Sequence, residues 1–350
     1  MGLVEMLENA VKMGGSDIFF VPGAPVEVKV NNDMIPLTEE RLMPDSASEL
    51  VREMYKMARR NFDLLDEAGD DDFSFAVVNV SRFRCNAYHQ RGTVAAICRI
   101  INFEMPDPEA RHIPPQVMDL AKLRNGMVLV TGPAGSGKST TLACIVDRIN
   151  STRNAHIVTI EDPIEYLHRH KKSLVSQREI PQDATTFYRA LRASLRQAPD
   201  VIMLGEMRDL ETIHTAITAA ETGHLLLSSL HTTGAAKTID RIIDTFPAEQ
   251  QTQIRVQLSM VLRAVVSQRL VPTVDGKREA VFELMTVNSA IQNLIRDGRT
   301  HQIDNAIYGG MNRDMISMDN ELQRLVRAGR ITKDTAIAFA VNPDTLSKRL

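Results

Sequence analysis

GMVLVTGPAGSGKSTT, residues Gly126–Thr141, decides how the rest of the chain is read. Met127–Thr131 is an apolar, β-branched run that predicts a buried strand. Gly132 to Ser139 then spells G-x-x-x-x-G-K-S, and Leu142, Ile145 and Val146 continue at helical spacing. Strand, glycine loop and helix in that order are the setting a Walker A motif requires; a glycine-rich turn with an incidental lysine would need neither flank. The chemistry explains the residue types. A triphosphate needs converging backbone N–H donors, which only a loop free of bulky side chains brings close. Gly132, Gly135 and Gly137 allow that wrap, and the helix N-terminus adds its dipole. Lys138 is expected to reach the β- and γ-phosphates, with Ser139 holding Mg²⁺. Pro133, Ala134, Ser136 and Thr140 complete the expected ATP-binding set.

Composition narrows the field. At 350 residues the chain is long for one domain and typical of two. Hydrophobic residues make up 43% and charged residues 24%, as in a globular protein. No apolar run approaches the ~20 residues that span a bilayer, and MGLVEMLENAVKMGG does not read as a signal peptide. Cys85, Cys98 and Cys144 are scattered, giving neither metal spacing nor a disulfide framework, which suits a reducing cytoplasm. A net charge of −3, no tryptophan and 5% aromatics argue against a nucleic-acid partner.

Leu3–Lys12 predicts an amphipathic helix, and Ser16–Val21 and Val26–Val30 strands around the Pro22-Gly23 turn. After the turn Asn31-Asn32-Asp33, Met34–Leu37 extends the sheet. Asp45–Met57 predicts a helix capped by Asp45 or Ser46, and acid-rich Asp66–Asp72 a solvated loop. Phe73–Val80, Arg82–Gln90 and Val94–Ile101 alternate as strands. Residues 1–101 therefore form a small α+β domain, and Asn102–Pro115 reads as a Pro-rich linker. From 116 to 350 the pattern is α/β. Strands at Met127–Thr131, His156–Ile160, Val201–Leu204 and Leu225–Ser229 alternate with helices at Ser139–Ile149, Thr185–Gln197 and Leu210–Thr222. That alternation predicts a mainly parallel, helix-flanked sheet binding nucleotide at its carboxyl edge. Pro247–Leu270 predicts one long helix, Glu279–Met285 a last strand, and the remainder helical pieces broken at Gly309-Gly310, Gly329-Arg330 and Asn342-Pro343.

Three further stretches deliver chemistry to that edge. Ile157–Glu165, IVTIEDPIE, brings Glu161 to a strand's end, either to orient the attacking water or as an exposed acidic turn. Asp200–Glu206, DVIMLGE, ends in Glu206, placed to hold Mg²⁺ through water or share the base role. Glu221–Thr233 sets His224 before a strand, where a structural role is as natural, and His231 after it as a phosphate sensor. In the first domain Arg82, Arg84, Arg91 and Arg99 read as a solvated sheet face or as arginines supplied to a neighbouring subunit's phosphate, worth roughly 10³–10⁵ in rate where such fingers act.

Together with the Walker A loop, the segments TIEDPIE (159–165), DVIMLGEMRDLET (200–212) and AAETGHLLLSSLHTT (219–233) resemble the type II/IV secretion-superfamily ATPases, and within them the type IV pilus retraction branch. The resemblance runs from Gly15-Ser16-Asp17 to the C-terminus. It implies a PAS-like N-terminal domain, a RecA-like ATPase domain and a homo-hexamer. It implies an inner-membrane pilus platform protein as partner, at the cytoplasmic face of the membrane without insertion into it. By the same resemblance Glu161 is the catalytic acid, Glu206 the Walker B acid, His224 and His231 a paired histidine motif, and Arg84, Arg91 and Arg99 the arginines that act in trans. Assembly and secretion ATPases of the superfamily usually add a longer N-terminal region and a tetracysteine zinc site, which this sequence lacks. Ala290–Asp297, AIQNLIRD, is similar to the AIRNLIRE of retraction enzymes but differs at Gln292 and Asp297. Ala134 stands where Thr is common, and Phe19 where the branch commonly has His. The rival readings are an assembly or secretion ATPase, an accessory retraction paralogue, and a nucleic-acid translocase.

Overall fold

Residues 1–31, 33–101, 105–309 and 314–350 are described by the structure, a computed structural model, and they divide into two units. Asn32 of the predicted turn, residues 102–104 of the predicted linker and Gly310 lie outside the described residues. The first unit is Met1–Glu104 with Glu165–Leu167, and the second is Met105–Ile164 with His168–Leu350.

The first unit runs α1 (Leu3–Lys12), β1 (Asp17–Phe20), β2 (Pro25–Val30), β3 (Asp33–Arg41), α2 (Pro44–Met57), α3 (Asp63–Ala68), β4 (Asp70–Val77), β5 (Ser81–Gln90) and β6 (Thr93–Ile101). Its six strands pair antiparallel in the order β3-β2-β1-β6-β5-β4. The period of two buries Phe83, Cys85 and Ala87 on one face of β5, against Val51, Met54 and Tyr55 of α2. Arg82 and Arg84 alternate with those residues onto the other face. Two expectations fail here. Pro44 occupies the first helical position of α2 with Met43 before it, so Asp45 and Ser46 lie inside the first turn and cap nothing. Residues 66–72 are not a loop: α3 runs to Ala68, Gly69 ends it at φ 86°, and β4 begins at Asp70. Polarity misled the reading, because Asp71 is neutralised within the unit. Its carboxylate accepts both guanidinium bonds of Arg60 at 2.7 Å and the Tyr55 hydroxyl at 3.0 Å.

The second unit opens with α4 (Pro115–Met118), β7 (Gly126–Thr131), α5 (Lys138–Thr152), β8 (His156–Glu161), β9 (Leu174–Glu179), α6 (Phe187–Ser194), β10 (Val201–Leu204), α7 (Leu210–Glu221) and β11 (Leu225–Leu230). It continues with α8 (Ala235–Asp244), α9 (Ala248–Val261), β12 (Leu262–Pro272), β13 (Arg278–Thr286), α10 (Ser289–Arg296), α11 (Ile303–Tyr308), α12 (Met318–Arg327), α13 (Lys333–Phe339) and α14 (Pro343–Ser347). Seven strands order as β13-β12-β7-β11-β10-β8-β9, parallel except for the β12–β13 pair. The mixed α/β class with a mainly parallel sheet is as expected. Side chains of β7 alternate between two cores, Met127 and Leu129 towards α7–α9, Val128 and Val130 towards α4 and α5. Burial on both faces is why this strand reads as an unbroken apolar run.

The largest correction is at Pro247–Leu270. Only Ala248–Val261 is helical; from Leu262 the chain becomes β12, paired in parallel with the glycine-loop strand. Leu262 and Val265 face one core and Ala264 and Val266 the other, so the apolar spacing that resembled a helical stripe is that of a two-faced strand. Strand β9 and helix α8 also went unpredicted, β9 because Leu174–Glu179 is polar at the sheet's edge. Among the described residues no helix is long and apolar enough to cross a membrane.

The Asp71 cluster yields a stability test. Burial, then the Asp71 carboxylate, push the Tyr55 phenol well above its usual range, so it stays protonated and donating. Asp71→Asn weakens three bonds at once and is expected to cost about 1–3 kcal/mol, read as a lower denaturant midpoint for the first unit.

Candidate active site

Parallel pairing brings the carboxyl ends of four strands side by side. Thr131 pairs with Leu230, Ser228 with Leu204, and Leu204 with Ile160. The residues that follow those ends, Gly132, His231, Gly205-Glu206 and Glu161, therefore emerge along one edge in the order β7, β11, β10, β8.

The glycine loop leaves β7 with Gly132 at φ 148°, turns through Gly135 at φ 73°, and enters α5 with Gly137 at φ 90° as its N-cap. L-residues rarely adopt these values. Space is short as well. A Cβ on Gly132 would lie 2.2 Å from the Gln268 carbonyl oxygen and 2.6 Å from Ser136 Oγ, and one on Gly137 would lie 2.8 Å from Gln268 Nε2. Gln268 of β12 thus backs the loop with its main chain and its side chain, and its Oε1 accepts from Thr141 Oγ1 at 2.7 Å. Pro133, Ala134, Gly135 and Ser139 are exposed, Thr140 is half-buried, and Ser136 is buried with its hydroxyl unbonded among the described residues.

Lys138 is buried, and its ammonium donates to the carbonyls of Gly132 and Pro133 at 3.0 Å each. It stands 3.5 Å from His231 Nδ1. The other ring nitrogen of His231 lies 3.4 Å from Glu206 Oε2, outside hydrogen-bond geometry, while Glu206 Oε1 forms an ion pair with Arg208. Lys138, His231 and Glu206 are one contiguous polar group. Glu206 and His231 also line a cavity of about 590 Å³, with Arg208, Thr232 and Arg241 beside the apolar Met207, Ile213, Leu230 and Ile242.

Glu161 ends the next strand and is buried. Its Oε1 accepts from Thr159 Oγ1 at 2.6 Å and from Gln177 Nε2 at 3.1 Å. Gly205 backs onto it; a Cβ there would sit 3.5 Å from Glu161 Cα. His224 lies at the opposite end of β11, bonded through Nδ1 to the Ala219 carbonyl at 2.9 Å, so the structure separates the two predicted histidines. Asp200 accepts the His156 N–H at 2.8 Å at that far edge.

Within the first unit Arg84 and Arg99 are direct partners across β5 and β6, and Arg91 sits in the turn joining them. Arg99 pairs with Asp17 at 2.9 Å. Arg82 lies two residues from Arg84 on the same face.

Sequence reasoning missed several participants. Gln177 and Gln268 carry no motif and gain their positions from strands that were not predicted. Arg208 was legible in GEMRD, two residues beyond Glu206 in an extended stretch. A second cavity of about 210 Å³ adjoins Gly137 and Thr140, bounded by Arg111, His112, Gln268, Arg278 and Glu279; its walls come from distant segments.

Comparison with known proteins gives a consistent picture. The family model described as "Type II/IV secretion system protein" matches residues 89–339. The Pseudomonas aeruginosa protein named type IV pilus retraction ATPase PilT is 42% identical over 98% of this chain and 99% of its own. A twitching motility protein of Neisseria gonorrhoeae is 44% identical over 91% of this chain and 85% of its own. A crystal structure of the pilus retraction motor PilT with bound ADP superposes with a TM-score of 0.90, at 43% identity, covering 100% of both chains.

Gly132→Ala tests the loop geometry. A methyl group 2.2 Å from a backbone carbonyl cannot be accommodated without moving β12 or the loop. Expected are a lower melting temperature and at least about tenfold weaker binding of a fluorescent ADP analogue; wild-type affinity would refute the packing argument.

Proposed function

The chain belongs to the type II/IV secretion system protein family, and from that premise we propose that it is an ATPase motor working as a homo-hexamer to retract type IV pili. The observation that carries the reading is the shared site of Lys138, His231 and Glu206, three residues expected from separate motifs to serve one triphosphate, joined through contacts of 3.5 Å and 3.4 Å.

In this reading the β-phosphate rests on the N–H groups of Gly135–Ser139 at the start of α5, and Lys138 and His231 meet the γ-phosphate. The base and ribose occupy the 210 Å³ cavity beside Thr140, where Arg111, His112, Arg278 and Glu279 offer hydrogen-bonding groups. The donor set fits Mg²⁺. Ser139 offers an exposed hydroxyl on the first turn of α5, and Glu206 Oε2 is a buried carboxylate oxygen without a hydrogen bond among the described residues. Held by Ser139 and Glu206, the ion would neutralise phosphate charge.

Glu161 is the base. Thr159 and Gln177 donate to one carboxylate oxygen and hold the group in one orientation. So oriented, the carboxylate takes the proton of an attacking water as the bond to the γ-phosphorus forms and the bond to the β–γ bridging oxygen breaks. Negative charge then shifts towards the departing diphosphate. Arg84, Arg91 and Arg99 supply compensating charge to a neighbouring copy's site. Arg84 stands directly opposite Arg99, whose charge Asp17 balances within the unit, so an anion from another subunit would meet the remaining positive charge. Hydrolysis and release alter those contacts between copies, and the ring transmits the displacement to an inner-membrane platform protein at the cytoplasmic face.

Five single substitutions separate the roles. Lys138→Ala is expected to abolish ATP binding in equilibrium titration. Glu161→Gln should still bind ATP while turnover falls about 10²–10⁴-fold; full turnover would remove Glu161 from the base role. Arg84, Arg91 and Arg99 changed singly to Ala should each lower turnover without shifting the melting curve, and silence at all three would dismiss the trans-arginine role. For the motor as a whole, deleting the gene in its host should leave pili that extend and do not shorten.

A further inference from the structure

Glu283 lies within β13, 4% exposed, and the chemistry above makes no use of it. It faces Ser267 in register across the β12–β13 pair, and the Ser267 hydroxyl hydrogen-bonds its carboxyl. Ser267 Oγ in turn accepts from Thr131 Oγ1 at 3.1 Å. Thr131 is the last residue of β7, immediately before Gly132. On the other side Glu283 Oε1 accepts the backbone N–H of Ala235 at 3.3 Å. Ala235 opens α8, directly after His231-Thr232-Thr233-Gly234, and Gly234 has no side chain with which to cap the helix. The loop is itself fastened to α8, since Thr238 Oγ1 donates to the Gly234 carbonyl at 2.8 Å and lies 2.8 Å from Thr232 Oγ1.

One buried carboxyl group therefore joins two parts of the site, the strand that launches the glycine loop and the helix that follows the His231 loop. An apolar residue at this position would leave the Ala235 N–H and the Ser267 hydroxyl without an acceptor. The burial is expensive for an acid. It pushes the Glu283 carboxyl up to about 7, with Asp304 adding to the rise while the Ala235 N–H, Arg269 and Ser267 pull the other way. A core packed for stability alone would be better served by an apolar side chain.

We propose that Glu283 is a positioning residue for ATP hydrolysis, setting where His231 stands relative to Lys138 by tying the start of α8 to the end of β7. The proposal rests on the reading of His231 as a γ-phosphate contact, and a double-mutant cycle on the full chain tests the two separately. His231→Ala and Glu283→Ala are each expected to lower kcat about tenfold or more, as misplacing a phosphate contact does, with KM for MgATP roughly unchanged. If Glu283 works through His231, the double variant is no slower than the slower single variant, within about twofold. Glu283→Gln keeps an acceptor oxygen for the Ala235 N–H and should restore most of the turnover. Multiplicative losses in the double variant, or wild-type turnover by Glu283→Ala, overturn the proposal while leaving His231 in place. A silent His231→Ala overturns the underlying reading and this proposal with it. Should Glu283→Ala fail to fold, as judged by circular dichroism, Ser267→Ala breaks the same chain at its middle link. A several-fold loss of kcat at unchanged melting temperature supports the tie; unchanged kcat removes it.

Discussion

The backbone pairing of β7 with β11, and of β11 with β10, is the constraint on which the functional edge depends. Parallel strands in matched register end together, so whatever residue follows each end is delivered to the same line. Thr131 opposite Leu230 sets Gly132 and His231 side by side, and Leu204 opposite Ser228 sets Glu206 one strand further on. A slip of one residue between β7 and β11 would turn every side chain of β11 to the other face and move His231 out of reach of Lys138.

Two cores hold that register. Each central strand is apolar on both faces, so a slip would expose no polar side and gain no compensating contact, but it would disturb both packed layers at once. Buried polar groups add direction where apolar packing supplies none. Thr131, Ser267, Gln268 and Thr141 fasten the glycine loop and its strand to β12, and Thr159 and Gln177 orient Glu161. The site is a set of side chains whose freedom has been removed by neighbours that do no chemistry.

The Walker A loop, Glu161, Glu206 and His231 were legible in the sequence because each couples a short apolar run to a polar end, a local signal. The arginines of β5 were legible as a set for the same reason, since alternation along one strand puts Arg82 and Arg84 on one face. Strand β12 was not. Nine residues of Leu262–Leu270 fit a helical stripe as readily as a buried strand, and only pairing with β7 decides between them. With β12 went Gln268 and Ser267, and with the acidic 66–72 segment went β4, whose Asp71 is neutralised by an arginine eleven residues away.

By itself the sequence determined the class of fold, the phosphate-binding loop and the strand-end acids, since those follow from periodicity and from residue types at short spacing. The tertiary structure alone decided which strand lies beside which. That order separates His224 from His231, brings His231 to Lys138, and threads Thr131, Ser267, Glu283 and Ala235 into one buried line. The reason is physical: hydrogen bonds between strands join residues about a hundred or more positions apart, as β7 with β11 and β12, and no local pattern encodes their partners.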